Sequence, residues 1–183
     1  MDLDALIGSV NFAHSKKVSE ISGILAKHAG YSVEETDLIR QAALFHDLGK
    51  ADVPKEILNK PGALTEQEFN IIKTHTQLGS RRIEETLRVL SAACVIAREH
   101  HEKWSGQNGY IGLAGENIHP YARLVACADV FDALISRRSY KAGWDKNEVC
   151  GYLSSQSGIQ FDVRMIGLLL EHTDEIMTLY ANS

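Results

Sequence analysis

The stretch Ala43-Leu44-Phe45-His46-Asp47-Leu48-Gly49-Lys50 carries a histidine and an aspartate where an apolar helical pattern runs into a glycine. Upstream, Ser32-Val33-Glu34-Glu35 has the form of a capping box, in which the first and fourth side chains bond each other's backbone N–H groups. Together the two stretches predict a helix that begins after Ser32, runs through Ile39 and ends near Leu48. We therefore expect the His46–Asp47 doublet to close a helix.

Helical spacing of apolar residues also describes the chain on both sides of this stretch. It predicts helices over about residues 3–28, 65–75, 87–102, 121–136, 145–153 and 162–180, with one helical turn at 55–58. Gly30 stands where the first helix would end, and Thr65 and Asp145 begin further capping boxes. No segment alternates as a strand does. The sequence thus predicts an all-α fold with a long loop near residues 103–120, a length at which loops are usually functional.

The composition is that of an ordinary globular protein and excludes several classes. The chain has 183 residues with a formal net charge of −5, 44% hydrophobic and 23% charged residues, which predicts a single domain over residues 1–183 and excludes disorder. No apolar run approaches the roughly 18 residues of a membrane span, and Met1–Asp4 do not resemble a signal peptide. Cys94, Cys127 and Cys150 are an odd, widely spaced set, which predicts reduced thiols and a cytoplasmic location. The negative charge argues against nucleic-acid polymers or membrane surfaces as partners.

Five histidines and two aspartates interrupt these helices at positions that indicate metal ligation. They are His14, His46, Asp47, His75, His100, His101 and Asp129. A single histidine on an apolar face is usually structural, but here two doublets each end an apolar helix before a glycine-containing loop. Imidazole and carboxylate groups together suit a transition-metal ion. Adjacent helical residues point about 100° apart, so each doublet fits a site with two ions more easily than a site with one.

Further segments extend this pattern in a fixed order. They are His46–Lys50, Val53–Thr65, His75, His100–Glu102, Asn108–Tyr110, Ala122–Leu124, Asp129–Leu134, Arg138–Tyr140 and Gly158–Asp162. The series spans the chain from about His14 to Phe161 and resembles the HD-GYP family of the HD superfamily of metal-dependent phosphohydrolases. The resemblance implies an HD-domain helical bundle that hydrolyses the bacterial second messenger cyclic di-GMP to pGpG and, as members of the family often do, on to GMP. It also implies diguanylate-cyclase domains as protein partners.

The same resemblance implies a binuclear metal site. One ion would be held by His14, His46 and Asp129, the other by His75, His100 and His101, with Asp47 as the bridge. The cofactors would be two divalent transition-metal ions (Fe, Mn, Co, Ni or Zn), and a hydroxide bridging them would be the nucleophile. Some family members bind a third ion through a glutamate four residues before the first histidine. Val10 stands at that position here and offers no ligand atom, so we expect two ions.

Four residues are candidates for contact with the substrate. Lys50 follows the first doublet across a glycine, and we expect its ammonium group to contact phosphate and to act in catalysis with Asp47; a solvated lysine at a helix end is the alternative. Arg138 and Lys141 match family positions that hold the substrate phosphate, and a solvated position is again the alternative. Tyr110 belongs to the family's loop motif and is predicted to bind substrate.

Two acidic residues are candidates for a supporting role. Asp132 lies three residues after Asp129 on roughly the same helix face, and Glu102 follows the second histidine doublet. Each is expected either to orient a ligand histidine or to cap its own surroundings. The remaining histidines, His28, His119 and His172, match no motif and are predicted to be surface or structural residues.

One departure from the family pattern affects the predicted function. The family's Gly-Tyr-Pro becomes Gly109-Tyr110-Ile111, and isoleucine does not fix the backbone as proline would. The loop supplies no predicted metal ligand, so metal binding should survive while loop geometry, substrate fit and partner contacts change. Three functions therefore stay open: a cyclic di-GMP phosphodiesterase, an HD-type phosphohydrolase of another cyclic dinucleotide or nucleotide, and a non-catalytic module that binds cyclic di-GMP or a diguanylate cyclase. The complete ligand set favours an enzyme.

Overall fold

The computed structural model describes residues 11–87, 91–136 and 143–181. The helices are α1 (Phe12–Ala29), α2 (Val33–Ala43), α3 (Lys55–Leu58), α4 (Glu66–Lys73), α5 (His75–Leu87), α6 (Ser91–Glu99), α7 (Pro120–Ile135), α8 (Lys146–Ser155), α9 (Val163–Glu171) and α10 (Thr173–Met177). Short 3₁₀ turns occupy Leu48–Asp52, Gly115–Asn117 and Thr178–Tyr180. These ranges contain no strand, only an isolated bridge between Ser157 and Phe161. The predicted all-α fold is confirmed.

Local capping interactions set several helix ends where the sequence predicts them. α1 ends because Gly30 adopts φ 88°, a left-handed conformation, and its N–H bonds the carbonyl groups of the last turn. Capping boxes at Ser32, Thr65 and Asp145 open α2, α4 and α8, with both reciprocal bonds present in each. The predicted start of the first helix, near residue 3, lies outside the described residues. The predicted helix start near residue 87 lies beside residues 88–90, which are also outside them.

Both helices that lead to a histidine doublet end earlier than predicted. α2 ends at Ala43 and α6 at Glu99, so the doublets lie in the turns that follow. His46 Nδ1 donates to the carbonyl oxygen of Ala43 over 2.8 Å, and His100 Nδ1 lies 3.1 Å from that of Ala97. The histidine rings thus cap terminal carbonyl groups that lose their partners where a helix stops.

Two predicted helices, over residues 65–75 and 162–180, are each divided, and most of α5 (His75–Leu87) lies where the sequence predicts no helix. α4 and α5 separate at Thr74, whose hydroxyl donates to the carbonyl oxygen of Ile71 over 2.7 Å. α9 and α10 separate at His172, and the hydroxyl of the next residue, Thr173, donates to the carbonyl oxygen of Leu169 over 2.8 Å. In both cases a threonine side chain competes for a carbonyl group near the end of a helix.

The core lies among the longer helices. α1 packs against α2, α7 and α9, and α6 packs against α2, α5 and α7. The buried apolar side chains include Val18, Ile21, Leu25, Ile39, Ile96, Leu124, Phe131 and Leu169. Each such side chain stabilises the fold by roughly 1.5–3 kcal/mol through its removal from water. The core therefore fixes α1, α6 and α7 relative to one another, and these helices carry or precede most of the predicted ligands.

A glycine brings the turn after α2 directly against the start of α5. A Cβ atom on Gly49 would lie 1.9 Å from the carbonyl oxygen of His75, so only a residue without a side chain fits there. The 3₁₀ turn Leu48–Asp52 consequently packs backbone to backbone on the first turn of α5. This contact places Asp47 beside His75.

Two further predictions concern membrane-spanning helices and the cysteine side chains. None of the helices in the described ranges is both long enough and apolar enough to span a bilayer. Cys94, Cys127 and Cys150 all carry free thiols.

Candidate metal centre

The structure brings all seven predicted ligands together in two adjoining groups. The first consists of Asp47, His75, His100 and His101, and the second of His14, His46 and Asp129. In each group every residue offers a ligand atom within 4.8 Å of the others. The groups meet at the first doublet, where His46 Nε2 lies 3.4 Å from Asp47 Oδ2. Five segments distant in sequence thus converge on one site.

Hydrogen bonds on the outer side of the rings orient the histidines. The Nδ1 atoms of His46, His75 and His100 bond the carbonyl oxygens of Ala43 (2.8 Å), Ile72 (2.7 Å) and Ile96 (3.0 Å), respectively. A carbonyl oxygen can only accept, so each Nδ1 must carry the proton. The lone pair of each ring therefore resides on Nε2, the atom that belongs to the ligand group.

His14 is oriented by a carboxylate instead of a carbonyl group. Its Nδ1 lies 2.6 Å from Asp132 Oδ2, and its Nε2 lies 3.1 Å from Asp129 Oδ1. Asp132 is buried and also accepts hydrogen bonds from Tyr180 (2.6 Å) and Ser136 (3.0 Å). Burial lowers the pKa of His14, but the hydrogen bonds to Asp129 and Asp132 outweigh burial and raise the pKa to about 9.

Several buried ligand atoms lack any hydrogen-bond partner among the described residues. They are Nε2 of His46, His75 and His100 and Oδ1 of Asp47. A buried polar atom left unpaired costs about 1–3 kcal/mol, so four in one place need an explanation. Burial raises the pKa of Asp47, but the electrostatic interactions with the neighbouring His46 and Lys50 outweigh burial and hold that pKa well below its usual range. An ionised carboxylate among unpartnered imidazole nitrogens is a donor set that fits divalent transition-metal ions.

The two oxygens of Asp47 face different histidines. Oδ1 lies 3.4 Å from His75 Nε2 and 3.7 Å from His100 Nε2, whereas Oδ2 lies 3.4 Å from His46 Nε2. Oδ2 also pairs with the ammonium group of Lys50, whose side chain is 33% exposed. Asp47 therefore stands between the two ligand groups, with Lys50 on its solvent side.

His101 and Tyr110 form the edge of the site. Burial, followed by the neighbouring His100, holds the pKa of His101 well below its usual value, so the ring is neutral. The Tyr110 ring centroid lies 4.7 Å from that of His101 and 6.2 Å from that of His75. Burial raises the pKa of Tyr110 to about 12, which keeps its phenol protonated at neutral pH.

Glu102 binds the long loop. Its Oε1 accepts from the backbone N–H groups of Tyr110 (2.6 Å) and Ile111 (2.8 Å), and its Oε2 accepts from that of Leu113 (2.7 Å). Gly109 fits against the carboxylate, because a Cβ atom there would lie 2.8 Å from Oε2. Of the two roles expected for this buried side chain, these contacts correspond to capping its own surroundings. Asp132, in contrast, lies 2.6 Å from a ring nitrogen of the predicted ligand His14.

Sequence reasoning did not single out Phe69 and Lys73, which lie beside Tyr110. The ammonium group of Lys73 is 4.9 Å from the Phe69 ring centroid and 5.7 Å from that of Tyr110. Phe69 and Lys73 are four residues apart on α4, a spacing that the sequence displays, but their proximity to the loop depends on the fold. Arg138, Lys141 and Val10 lie outside the described residues.

A third group of possible ligands has a different geometry. His28, His172 and Glu175 lie near one another, but the two rings are stacked with centroids 3.4 Å apart and planes at 10°. The rings of His46 and His100 in the main site are instead edge to face, with centroids 5.1 Å apart and planes at 85°. Parallel rings direct their lone pairs side by side, whereas edge-to-face rings allow them to converge. In this third group His28 Nε2 already pairs with Glu175 Oε2 over 2.8 Å, unlike the unpartnered Nε2 atoms of the main site.

Comparison with known proteins agrees with this geometry. The family model described as HD domain matches residues 6–165. The cyclic di-GMP phosphodiesterase response regulator RpfG of Xanthomonas campestris is 41% identical over 159 residues, which cover 86% of this chain and 42% of that protein. The 3'3'-cGAMP-specific phosphodiesterase 2 of Vibrio cholerae is 38% identical over 171 residues, which cover 93% of this chain and 33% of that protein. The chain thus spans less than half the length of these curated relatives.

Among solved structures, the chain is similar to Bd1817, an HDG"Y"P protein from Bdellovibrio bacteriovorus. The TM-score is 0.74 at 25% sequence identity, and the match covers 91% of this chain and 53% of that one. The family model, the helical fold and the ordered motifs lead to one assignment. The chain belongs to the HD domain family, as an HD-GYP member with Gly-Tyr-Ile at residues 109–111.

Proposed function

We propose that this chain is a metal-dependent phosphodiesterase that hydrolyses cyclic di-GMP to pGpG and on to GMP. The observation that carries the proposal is the set of four buried, unpartnered ligand atoms inside a cluster of five histidines and two aspartates. The name of the Xanthomonas relative, a cyclic di-GMP phosphodiesterase, supports the choice of substrate. A non-catalytic module would have no need to retain such a costly, complete donor set.

We assign the ligands according to the two groups. His14, His46 and Asp129 would hold one divalent ion, His75, His100 and His101 would hold the other, and Asp47 would bridge them. The division of the Asp47 oxygens between His46 on one side and His75 and His100 on the other supports the bridging role. Bound divalent ions lower the pKa of coordinated water toward about 7 and polarise phosphoryl oxygens, which supplies a nucleophile at neutral pH.

The protein's own groups around this centre bind and orient the substrate. Asp132 holds the ring of His14 with Nε2 toward the site. The ammonium group of Lys50, on the solvent side of Asp47, would contact the scissile phosphate and stabilise the charge that develops on it. The protonated phenol of Tyr110 would donate a hydrogen bond to the dinucleotide. Arg138 and Lys141, by their match to the family pattern, would hold the second phosphate.

The Vibrio relative favours a second candidate substrate, 3'3'-cGAMP. Protein loaded with Mn²⁺ or Fe²⁺ is incubated with cyclic di-GMP, 3'3'-cGAMP and cyclic di-AMP, and linear products are separated by chromatography. We expect pGpG and then GMP from cyclic di-GMP as the fastest reaction. Faster cleavage of 3'3'-cGAMP would shift the assignment to that substrate. Binding of cyclic di-GMP without cleavage under either metal would make the chain a binding module.

A further inference from the structure

An exposed aromatic ring continues the edge of the metal centre toward solvent. Phe69 is 41% exposed on α4, and its ring centroid lies 6.1 Å from that of Tyr110, edge to face. Tyr110 in turn lies 4.7 Å from His101. A single exposed phenylalanine needs no explanation, but this one is the outer member of a chain of rings that ends at a proposed metal ligand. Phe69 is therefore placed where a substrate bound at that centre could contact it.

A cation lies against both rings. The Lys73 ammonium group is within cation–π distance of Phe69 (4.9 Å) and Tyr110 (5.7 Å). In the described part of the chain, no carboxylate lies within salt-bridge distance of Lys73. The two aromatic rings suit a flat, electron-rich ligand. The ammonium group, which has no acidic partner in the ranges described, suits a ligand that also carries phosphate.

The two rings are held on well-anchored backbone. Phe69 lies in a helix that a complete capping box opens, and the backbone of Tyr110 is fixed by its hydrogen bond to the buried Glu102. Binding then requires little ordering of the protein, which favours affinity for a small ligand. A surface that only packed against another protein would not need to adjoin the metal ligands.

We propose that Phe69, Tyr110 and Lys73 form a subsite for a purine base of the nucleotide whose phosphate reaches the metal centre. The inference rests on the proposed function, since it names where that site would recognise its substrate. The base stacks on the exposed Phe69 ring, and the Tyr110 ring borders it on the side of His101. Lys73 donates to the acceptor atoms on the edge of the base, which are N7 in any purine and also O6 in guanine. Stacking of this kind is worth about 1–3 kcal/mol per base, or roughly 5- to 150-fold in affinity.

The test compares two competitors that share a sugar phosphate and differ in the base. GMP and ribose 5-phosphate are titrated as inhibitors of bis(p-nitrophenyl) phosphate hydrolysis by the metal-loaded protein. We expect GMP to bind more tightly, and Phe69→Ala to reduce the ratio of the two inhibition constants by about tenfold, the scale of one stacked base. Phe69→Tyr should retain the ratio because it retains the ring. Val163→Ala, at another exposed apolar position, should leave it unchanged.

One outcome would overturn the subsite: a ratio that is unchanged in Phe69→Ala, whether both inhibition constants stay the same or rise by the same factor. If the diester is not hydrolysed, calorimetric titration of the same two competitors into metal-loaded protein gives the same ratio. The proposed function is judged separately. A ratio that falls without cleavage of any cyclic dinucleotide would refute only the phosphodiesterase assignment, whereas cleavage with an unchanged ratio would refute only the base subsite.

Discussion

The backbone N–H of Ile111 donates a hydrogen bond to Oε1 of Glu102 over 2.8 Å, at the position where the family pattern has proline. Proline has no N–H, so a chain with Gly-Tyr-Pro cannot make this bond. In this protein a buried carboxylate therefore fixes the loop in a way that uses the substituted residue. The departure from the family pattern changes how the loop is held, while leaving it anchored beside His101.

This arrangement predicts different costs for two substitutions. Glu102→Gln should lower the free energy of unfolding by about 2 kcal/mol, because hydrogen bonds to charged groups are worth roughly 1.5–3 kcal/mol and the amide nitrogen cannot accept. Ile111→Pro should cost less, about 1 kcal/mol, because the loss of one such bond is partly offset by about 0.4–1 kcal/mol from the restriction that proline places on the unfolded chain. Urea denaturation measures both values.

Amide hydrogen exchange measures the loss of these loop hydrogen bonds residue by residue. The amides of Tyr110, Ile111 and Leu113 should exchange faster in Glu102→Gln, with metal content unchanged. Glu116→Gln, an exposed substitution in the same loop, is the control. Equal destabilisation by Ile111→Pro and Glu102→Gln would show that the carboxylate is not the main anchor.

The metal content follows from the seven ligands. Elemental analysis of fully loaded protein should give about two transition-metal ions per chain. Asp47→Ala should lose metal and activity together, because two close cations would lose their shared counter-charge. His28→Ala should lose neither, since its stacked ring lies in a different group. Retention of both ions by Asp47→Ala would refute the bridge, and three tightly held ions would refute the predicted stoichiometry.

Lys50 should affect turnover more than substrate affinity. Its ammonium group lies beside Asp47, so it would meet charge that develops on the scissile phosphate in the transition state. Lys50→Ala is expected to lower kcat by about 10²-fold, the scale for loss of one electrostatic stabiliser, without loss of metal. Lys55→Ala, an exposed lysine on α3, should leave kcat unchanged. Normal kcat in Lys50→Ala would eliminate the catalytic role.

The raised pKa of His14 predicts that metal competes with protons. In metal-free protein this pKa is about 9, against 6.5 for an ordinary histidine. Its contribution to the stability of metal-free protein is thus complete below pH 6.5 and is lost as pH rises through 9. A metal ion needs the neutral ring, so metal affinity should rise with pH over the same interval, with release of a proton.

Asp132→Asn tests whether the proton that metal binding releases comes from His14. The asparagine keeps the shape of the side chain but removes the negative charge that favours the protonated ring. Calorimetry of metal binding near pH 7, in buffers with different ionisation enthalpies, should show less proton release than in the parent protein. The same proton release in both proteins would show that His14 does not carry the proton.

The sequence predicts those structural features that depend only on residues close together along the chain. Capping boxes at Ser32, Thr65 and Asp145 are complete within four residues, so their helix starts are readable and confirmed. The division at Thr74 is not readable, because a threonine competes with the backbone only in some tertiary settings. The exposed position of Phe69 is also invisible from its helical spacing, which equally fits a core residue.

At the candidate metal centre, too, some features can be predicted from the sequence and others depend on the tertiary fold. The seven proposed ligands were predictable because their order along the chain resembles a known pattern. The contacts of Glu102 were not, since its partners lie eight to eleven residues away in an irregular loop. Asp132 shows an intermediate case: its helix face was predicted, whereas its bond to His14 joins residues 118 positions apart.

Gly49 restricts how this protein can be engineered. Its φ is not positive, so its backbone conformation is one that other residues adopt, and replacement of such a glycine by alanine is an ordinary route to thermal stability. Here the obstacle is space alone, because the new Cβ would meet the carbonyl oxygen of His75 at 1.9 Å. A stabilisation programme that scans glycines by backbone angle would select this position wrongly, and its first effect would be to separate Asp47 from His75.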